Sequence, residues 1–300
     1  MKIYFFDFNV EDLKGFTEVF SVIPYVNDTI YTKIIEHVGI WNEGLFSKLR
    51  YHSNHTKVNS IEECDIAVIP FKFNNVDERI KQNCTNALKH NKRVVAFYND
   101  DDAETYNLPN NLVLFRTSLY KSKQLPNEKS LPTLIPDQFP SYIDLPDKAE
   151  NTTVAFCGFV GNNRLQIIEK FKSLYNNTNM VYNSMFWPQT DSKHKTKGLF
   201  YNNLLSSSFS LCIRGLGNFS YRFYEALSFG RIPVLINTDC VLPFENVIDW
   251  SKHIISVNEN QMSLLPDLIS SCNISPASNR KLWQTFFSAE GYYKNFNLEL

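Results

Sequence analysis

Arg214, Gly215, Gly217, Ser220, Arg222 and Glu225 fall within one short stretch, 214–225, and their types and order suit the capture of an anion. A guanidinium makes charge-assisted, two-pronged hydrogen bonds to phosphate oxygens. Glycines let main chain approach a ligand where a side chain would stand in the way. A helix that begins just before an arginine adds free amides and the positive end of its dipole. Glu225, three residues beyond Arg222, projects from nearly the same helix face. A cation for a diphosphate and a carboxylate for ribose hydroxyls is the chemistry this pattern suits. Local elements must hold these residues in place. Residues 209–213 are apolar, too few for a helix and followed at once by breakers, which predicts a strand ending at Arg214. Ser220 predicts the N-cap of a helix over 221–229, and Gly230 its stop. Arg214, at the strand end, either serves the same phosphate or pairs with a carboxylate inside the domain.

The segment resembles the C-terminal signature of the exostosin-like glycosyltransferases. The likeness runs through Arg214-Gly215, Ser220, Arg222, Glu225-Ala226, Gly230, Ile232-Pro233-Val234, Leu242-Pro243-Phe244 and Ile248-Asp249-Trp250. It is weaker upstream, at FRTS (115–118) and FCGFVGNNR (156–164), and does not reach the first hundred or so residues. The resemblance implies a GT-B-like α/β fold, two Rossmann-type domains with an interdomain cleft. It also implies inverting transfer from a nucleoside diphosphate sugar, with no metal or other cofactor required. On that reading Arg222 and Arg164, with the helix N-terminus, take the charge of the departing diphosphate. Glu225 holds the ribose.

Inversion needs a general base for the acceptor proton, and Asp100, Asp101 and Asp102, which follow the apolar run RVVAFY, are its candidates. The same D-x-D is also how metal-dependent GT-A enzymes hold a divalent ion, and carboxylates in such turns often serve only as caps. A fucosyltransferase-like enzyme using a GDP-sugar shares the strand-turn-helix logic, and a non-catalytic nucleotide or glycan binder would need the same anion pocket without the base. His52 and His55 lack a third metal ligand at matching spacing. The basic run Lys193, His194, Lys195, Lys197 reads as a solvated helix start or a rim that attracts an acidic sugar. Trp41, Phe186, Trp187, Tyr221 and Tyr224 read as core, with sugar stacking as the other use.

Three hundred residues with 43% hydrophobic content suffice for two domains. Helical and strand-like runs alternate on either side of a proline-rich linker at 121–150, predicting α/β domains over 1–145 and 146–300, which the resemblance makes the acceptor-side and the nucleotide-sugar-binding domain. The final helix, around 281–287, is expected to cross back to the first domain. A net charge of −1, from 30 basic and 31 acidic residues, excludes a global field for nucleic acid; the resemblance implies a sugar-nucleotide donor and a saccharide or glycolipid acceptor as partners. The apolar run before Asp7 is too short for a signal peptide or a membrane anchor, which allows only peripheral membrane association and predicts a cytoplasmic protein. Six cysteines without paired spacing read as reduced thiols. A sequon at Asn218 would put a glycan inside the phosphate turn, so the two uses exclude each other.

Overall fold

Apolar runs too brief for helices, bounded by glycine, proline and asparagine, become the strands of two parallel sheets. The computed structural model describes all residues except 10–11, 14–17, 39–42, 51–54, 162 and 184–192. The chain divides into two units: Met1–Asp137 with Cys240–Val247 and Thr285–Leu300, and Gln138–Asp239 with Ile248–Gln284.

The first unit holds β1 (Lys2–Phe5), β2 (Thr56–Lys57), β3 (Ile66–Val68), β4 (Arg93–Tyr98), β5 (Leu112–Arg116) and β6 (Glu128–Ser130) in the order β2-β1-β3-β4-β5-β6, every pairing parallel. Its helices are α1 (Asp28–Val38), α2 (Glu43–Leu49) and α3 (Glu78–Lys89), with a fourth from the C-terminal segment. Asp77 caps α3 by accepting from the Ile80 amide at 2.8 Å. Ile80, Cys84 and Ala87 are buried against Val94, Ala96 and Tyr98 of β4. Leu88 is exposed, because one residue beyond Ala87 turns it a further hundred degrees or so around the helix. The other face of β4 and β5 carries Phe97 and Phe115, which meet Phe20 and Phe296 edge-on or tilted at 4.7 to 6.3 Å. Burying each such ring contributes roughly 1.5–3 kcal/mol.

The second unit holds β7 (Val154–Phe159), β8 (Thr178–Asn183), β9 (Phe209–Cys212), β10 (Ile232–Asn237) and β11 (Ile255–Asn258) in the order β11-β10-β9-β7-β8, again all parallel. The helices are α4 (Arg164–Leu174), α5 (Lys193–Leu205), α6 (Tyr221–Ser228), α7 (Leu265–Ser270) and α8 (Pro276–Leu282). Ile167, Ile168 and Phe171 of α4 pack on Val154, Phe209, Val234 and Val257, so the α4 face buries all the central strands.

The division falls at 137/138, inside the proline-rich stretch, rather than at 145/146. The stretch is not uniformly irregular either: Glu128–Ser130 joins the first sheet. Two later segments, Cys240–Val247 and Thr285–Leu300, belong to the first unit. The returning C-terminal piece is Thr285–Leu300 with α9 (Ala289–Asn295), not a helix over 281–287. Its aromatic residues dictate the return, since Phe244, Phe287, Tyr292 and Phe296 are all fully buried together there. Among the described residues no helix is long and apolar enough to cross a membrane.

Candidate functional site

In the second unit the strand, turn and helix of the signature form as the residue pattern predicts, with β9 ending at Cys212 and α6 starting at Tyr221. The turn between them is closed by its own chain: the Gly215 amide donates to the Phe219 carbonyl at 3.1 Å, and Arg214 Nη2 donates to the Leu216 carbonyl at 2.8 Å. Arg214 therefore braces the turn it belongs to. A Cβ at Gly215 would meet only Arg164 Nη2, at 3.5 Å, so the main chain there is bare. Gly230 stops the helix at φ +64°, the left-handed conformation that favours glycine. Ser220 occupies the N-cap position with extended backbone, yet its hydroxyl makes no capping bond and lies buried without a partner. The capping expected of it is corrected accordingly.

Arg222 points inward. Its Nη2 donates to the Cys157 carbonyl on β7, its Nε lies 3.8 Å from Glu225 Oε2, and its Nη1 is buried without a hydrogen-bond partner. Phe200 of α5 lies over the guanidinium at 4.2 Å, and Phe156 of β7 lies at 5.9 Å. The pair is thus no solvated surface contact. Glu225 keeps 27% of its side chain exposed. Burial pushes its carboxyl up, and Arg222 offsets only part of the rise. Burial first, and the Glu225 charge second, push the neighbouring Tyr201 phenol up to about 12. Phe200 and Tyr201 were not singled out in the sequence. An aromatic on a separate helix carries no mark of the cation it covers.

Arg164 opens α4 and spends its guanidinium on main chain: Nε donates to the Arg214 carbonyl at 2.8 Å, Nη1 to Phe159 at 3.2 Å and Nη2 to Ile213 at 3.2 Å. It ties the carboxyl ends of β7 and β9 together beneath the bare turn, placing its charge there while leaving the direct contacts to protein. Asn218 is buried and accepts from the Thr238 hydroxyl at 2.6 Å, so the folded turn does not present that sequon. Asp249 pairs with Lys252 at 3.1 Å, and Trp250 packs on Phe223 at 5.3 Å, which accounts for both by turn chemistry and packing.

The acidic run lies in the first unit. The Asp100 amide donates to Thr117 Oγ1 at 3.2 Å, and the Asp100 carboxylate lies 3.7 Å from Lys72. Asp101 is exposed. Asp102 is committed to the protein: one oxygen accepts from the Tyr98 and Tyr106 hydroxyls, the other from the Glu104 amide at 2.6 Å. Burial alone would push this carboxyl up, yet Tyr106, the Glu104 amide and the nearby Arg116 hold it below its ordinary value. Asp102 is a turn-building carboxylate whose two oxygens are both engaged by protein donors. No group of three or more His, Cys, Asp or Glu able to hold a metal occurs among the described residues. His55 is buried and holds the Tyr293 carbonyl through Nε2 at 2.7 Å. Tyr224 is core, whereas Tyr221 stays substantially exposed beside the turn. His52, Trp41, Phe186, Trp187 and the side chains of residues 193–195 lie outside the described residues.

The second unit is a parallel α/β fold in which a strand, a glycine turn and a helix surround a buried arginine and its glutamate. The chain belongs to the exostosin GT47 family of glycosyltransferases: the Exostosin GT47 domain matches residues 94–272, from β4 through α7. It is 38% identical over 98 residues to Exostosin-1 of Drosophila melanogaster, covering 30% of this chain and 12% of that one. It is 34% identical over 87 residues to the probable glucuronosyltransferase Os02g0520750 of Oryza sativa subsp. japonica, covering 29% and 20%. The matched stretch thus spans a fifth or less of these relatives' own length. The crystal structure of TarM superimposes with a TM-score of 0.40 at 10% identity, over 78% of this chain and 54% of that one.

Proposed function

We propose that this chain transfers a sugar, with inversion, from a nucleoside diphosphate sugar to a hydroxyl of a saccharide or lipid-linked acceptor, in surface polysaccharide or glycan synthesis. The observation that carries the reading is the pair of orphan polar groups in one helical turn, Ser220 Oγ and Arg222 Nη1. Buried polar atoms are nearly always paired, so two without protein partners beside a bare main-chain turn support a ligand that supplies acceptors there. A diphosphate fits: it brings oxygens to the helix N-terminus, and Arg164 adds charge from beneath. Glu225, the partly exposed member of the pair, is placed to accept from ribose hydroxyls.

In the reaction the acceptor oxygen bonds to the anomeric carbon as the bond from that carbon to the diphosphate oxygen breaks. The acceptor proton passes to a base, for which Asp100 and Asp101 remain after Asp102 is set aside. The GT-B-like arrangement, metal independence and a cytoplasmic site belong to this same reading; the last is supported by six free cysteines. The metal-dependent alternative loses support because both Asp102 oxygens are engaged by protein donors.

A thermal-shift screen with UDP, GDP and CMP, followed by turnover of the matching sugar nucleotides with and without chelator, tests the proposal. One nucleotide should raise the melting temperature and its sugar should be transferred in the presence of chelator. No shift with any nucleotide would sink the donor site, binding without turnover would leave a nucleotide-binding protein, and loss of activity on chelation would establish the metal-dependent reading.

A further inference from the structure

Two buried charges of the first unit have no part in the chemistry above. Arg116 and Glu128 are each 2% exposed and pair at 3.0 Å. A buried pair of this kind contributes little net stability over apolar residues of like volume, so its use lies elsewhere. Here it fixes main chain. Arg116 Nη1 donates to the Glu104 carbonyl and Nη2 to the Asp102 carbonyl, both at 2.7 Å. Glu128 Oε2 accepts from the Leu125 amide at 3.0 Å, and the Glu128 carbonyl accepts from Gln124 Nε2 at 2.9 Å. One ion pair thereby tethers two separate loops, the stretch leading into β5 and the stretch leading into β6.

These loops wall an open groove of about 720 Å³, whose lining includes Tyr106, Asn107, Leu108, Asn110, Leu125 and Asn127. That size lies within the range of about 300–1,000 Å³ usual for small-ligand sites. No charged side chain lines it among the described residues. The Asn107 and Asn110 side chains make no hydrogen bond within the protein among the described residues. Asn127 commits Nδ2 to the Pro109 and Leu112 carbonyls, at 3.3 and 2.9 Å, and keeps Oδ1 as an acceptor. Tyr106 cannot swing, because Asp102 holds its hydroxyl while Phe73 and Arg116 hold its ring, each at 5.3 Å.

One held amide, Asn127, two exposed amides without protein partners, an anchored aromatic ring and aliphatic carbon, without any ionic group, match a neutral polyhydroxyl compound: amides pair with hydroxyls, and ring and aliphatic surface cover the C–H face of a sugar. We propose that this groove is a saccharide subsite, distinct from the Arg222 site, that holds an uncharged stretch of the acceptor glycan. It rests on the glycosyltransferase reading only in taking the glycan to be an acceptor. Arg116 is the positioning residue that sets its walls.

The test titrates the full chain, without donor, by calorimetry with neutral gluco-, xylo- and N-acetylglucosamine oligosaccharides and with an oligogalacturonate. At least one neutral series should bind, and Asn107→Ala/Asn110→Ala should weaken it by about tenfold or more at an unchanged melting temperature. Asn110→Arg, which fills the groove with a charged stem, should abolish it. Binding of no neutral series, equal binding by the double variant, or equal binding of the acidic series would overturn the proposal. Since donor is absent, a failed nucleotide shift with saccharide binding intact would sink only the donor reading.

Discussion

Arg222→Met separates the two roles a shut-in guanidinium can have. The substitution keeps an unbranched apolar stem under Phe200 and deletes the charge. The Cys157 carbonyl loses its donor, a net loss of about 1 kcal/mol. Glu225 loses its cation. Removing one member of a fully buried pair costs about 3–5 kcal/mol, but the 3.8 Å separation and partial exposure bring that nearer about 1 kcal/mol. Stability should therefore fall by about 2 kcal/mol, and Arg222→Met/Glu225→Gln should regain about half of it by removing the orphaned carboxylate. Turnover should follow a different pattern. If the guanidinium holds the leaving diphosphate, about 3 kcal/mol of transition-state stabilisation disappears, close to 150-fold in kcat/KM. Both variants should stay that low, because neutralising Glu225 restores packing and not a cation. Urea unfolding beside steady-state turnover of the sugar nucleotide that the thermal screen selects reads both quantities. Activity that returns with stability in the double variant, or a single variant within about threefold of wild type, would refute the reasoning.

Gly230→Ala places a Cβ at φ +64°, overlapping Leu145 Cδ1 and 2.9 Å from the Pro276 carbonyl, and should lower the urea-derived stability by about 2 kcal/mol or more; an unchanged midpoint would show the conformation is not required. Glu299 is 9% exposed with Oε2 unpartnered, and burial pushes its carboxyl up to about 7. The folded state therefore holds that proton more tightly than the unfolded chain, so its contribution is present below pH 4.5 and lost as pH rises through about 7, amounting to about 3 kcal/mol. Unfolding of wild type against Glu299→Gln across that window should show the difference, and parallel curves would disprove it. The Asp102 carboxyl lies below its ordinary value in the fold, so its stabilisation is present above about pH 3.8 and lost on acidification. Asp102→Asn should cost about 1–3 kcal/mol of stability and leave turnover per folded molecule unchanged, whereas a tenfold loss of turnover at full stability would return it to the chemistry.

Local patterns in the sequence were enough for β4, β9, α3 and α6, because apolar period, caps and glycine stops act over a few residues. Strand β2, two residues long, and strand β6, Glu-Lys-Ser, escaped for the same reason: neither has an apolar run, and each exists by pairing with a neighbour already in the sheet. The helix α5 begins at Lys193, within the basic run that reads as a solvated helix start.

The sequence by itself determined that a strand, a glycine turn and a helix would bring Arg214, Gly215, Ser220, Arg222 and Glu225 into one local unit, and the family model covering 94–272 agrees with the resemblance those residues carry. Tertiary structure alone decided what each side chain does there. Arg222 turned to a β7 carbonyl 65 residues earlier, Arg164 became a clamp between strand ends, and Asp102 went to two tyrosines and an amide. Residue type sets which hydrogen bonds a group can make. Which partner it meets depends on the order and register of strands distant in sequence, and a buried charge takes whatever acceptor that register brings within reach.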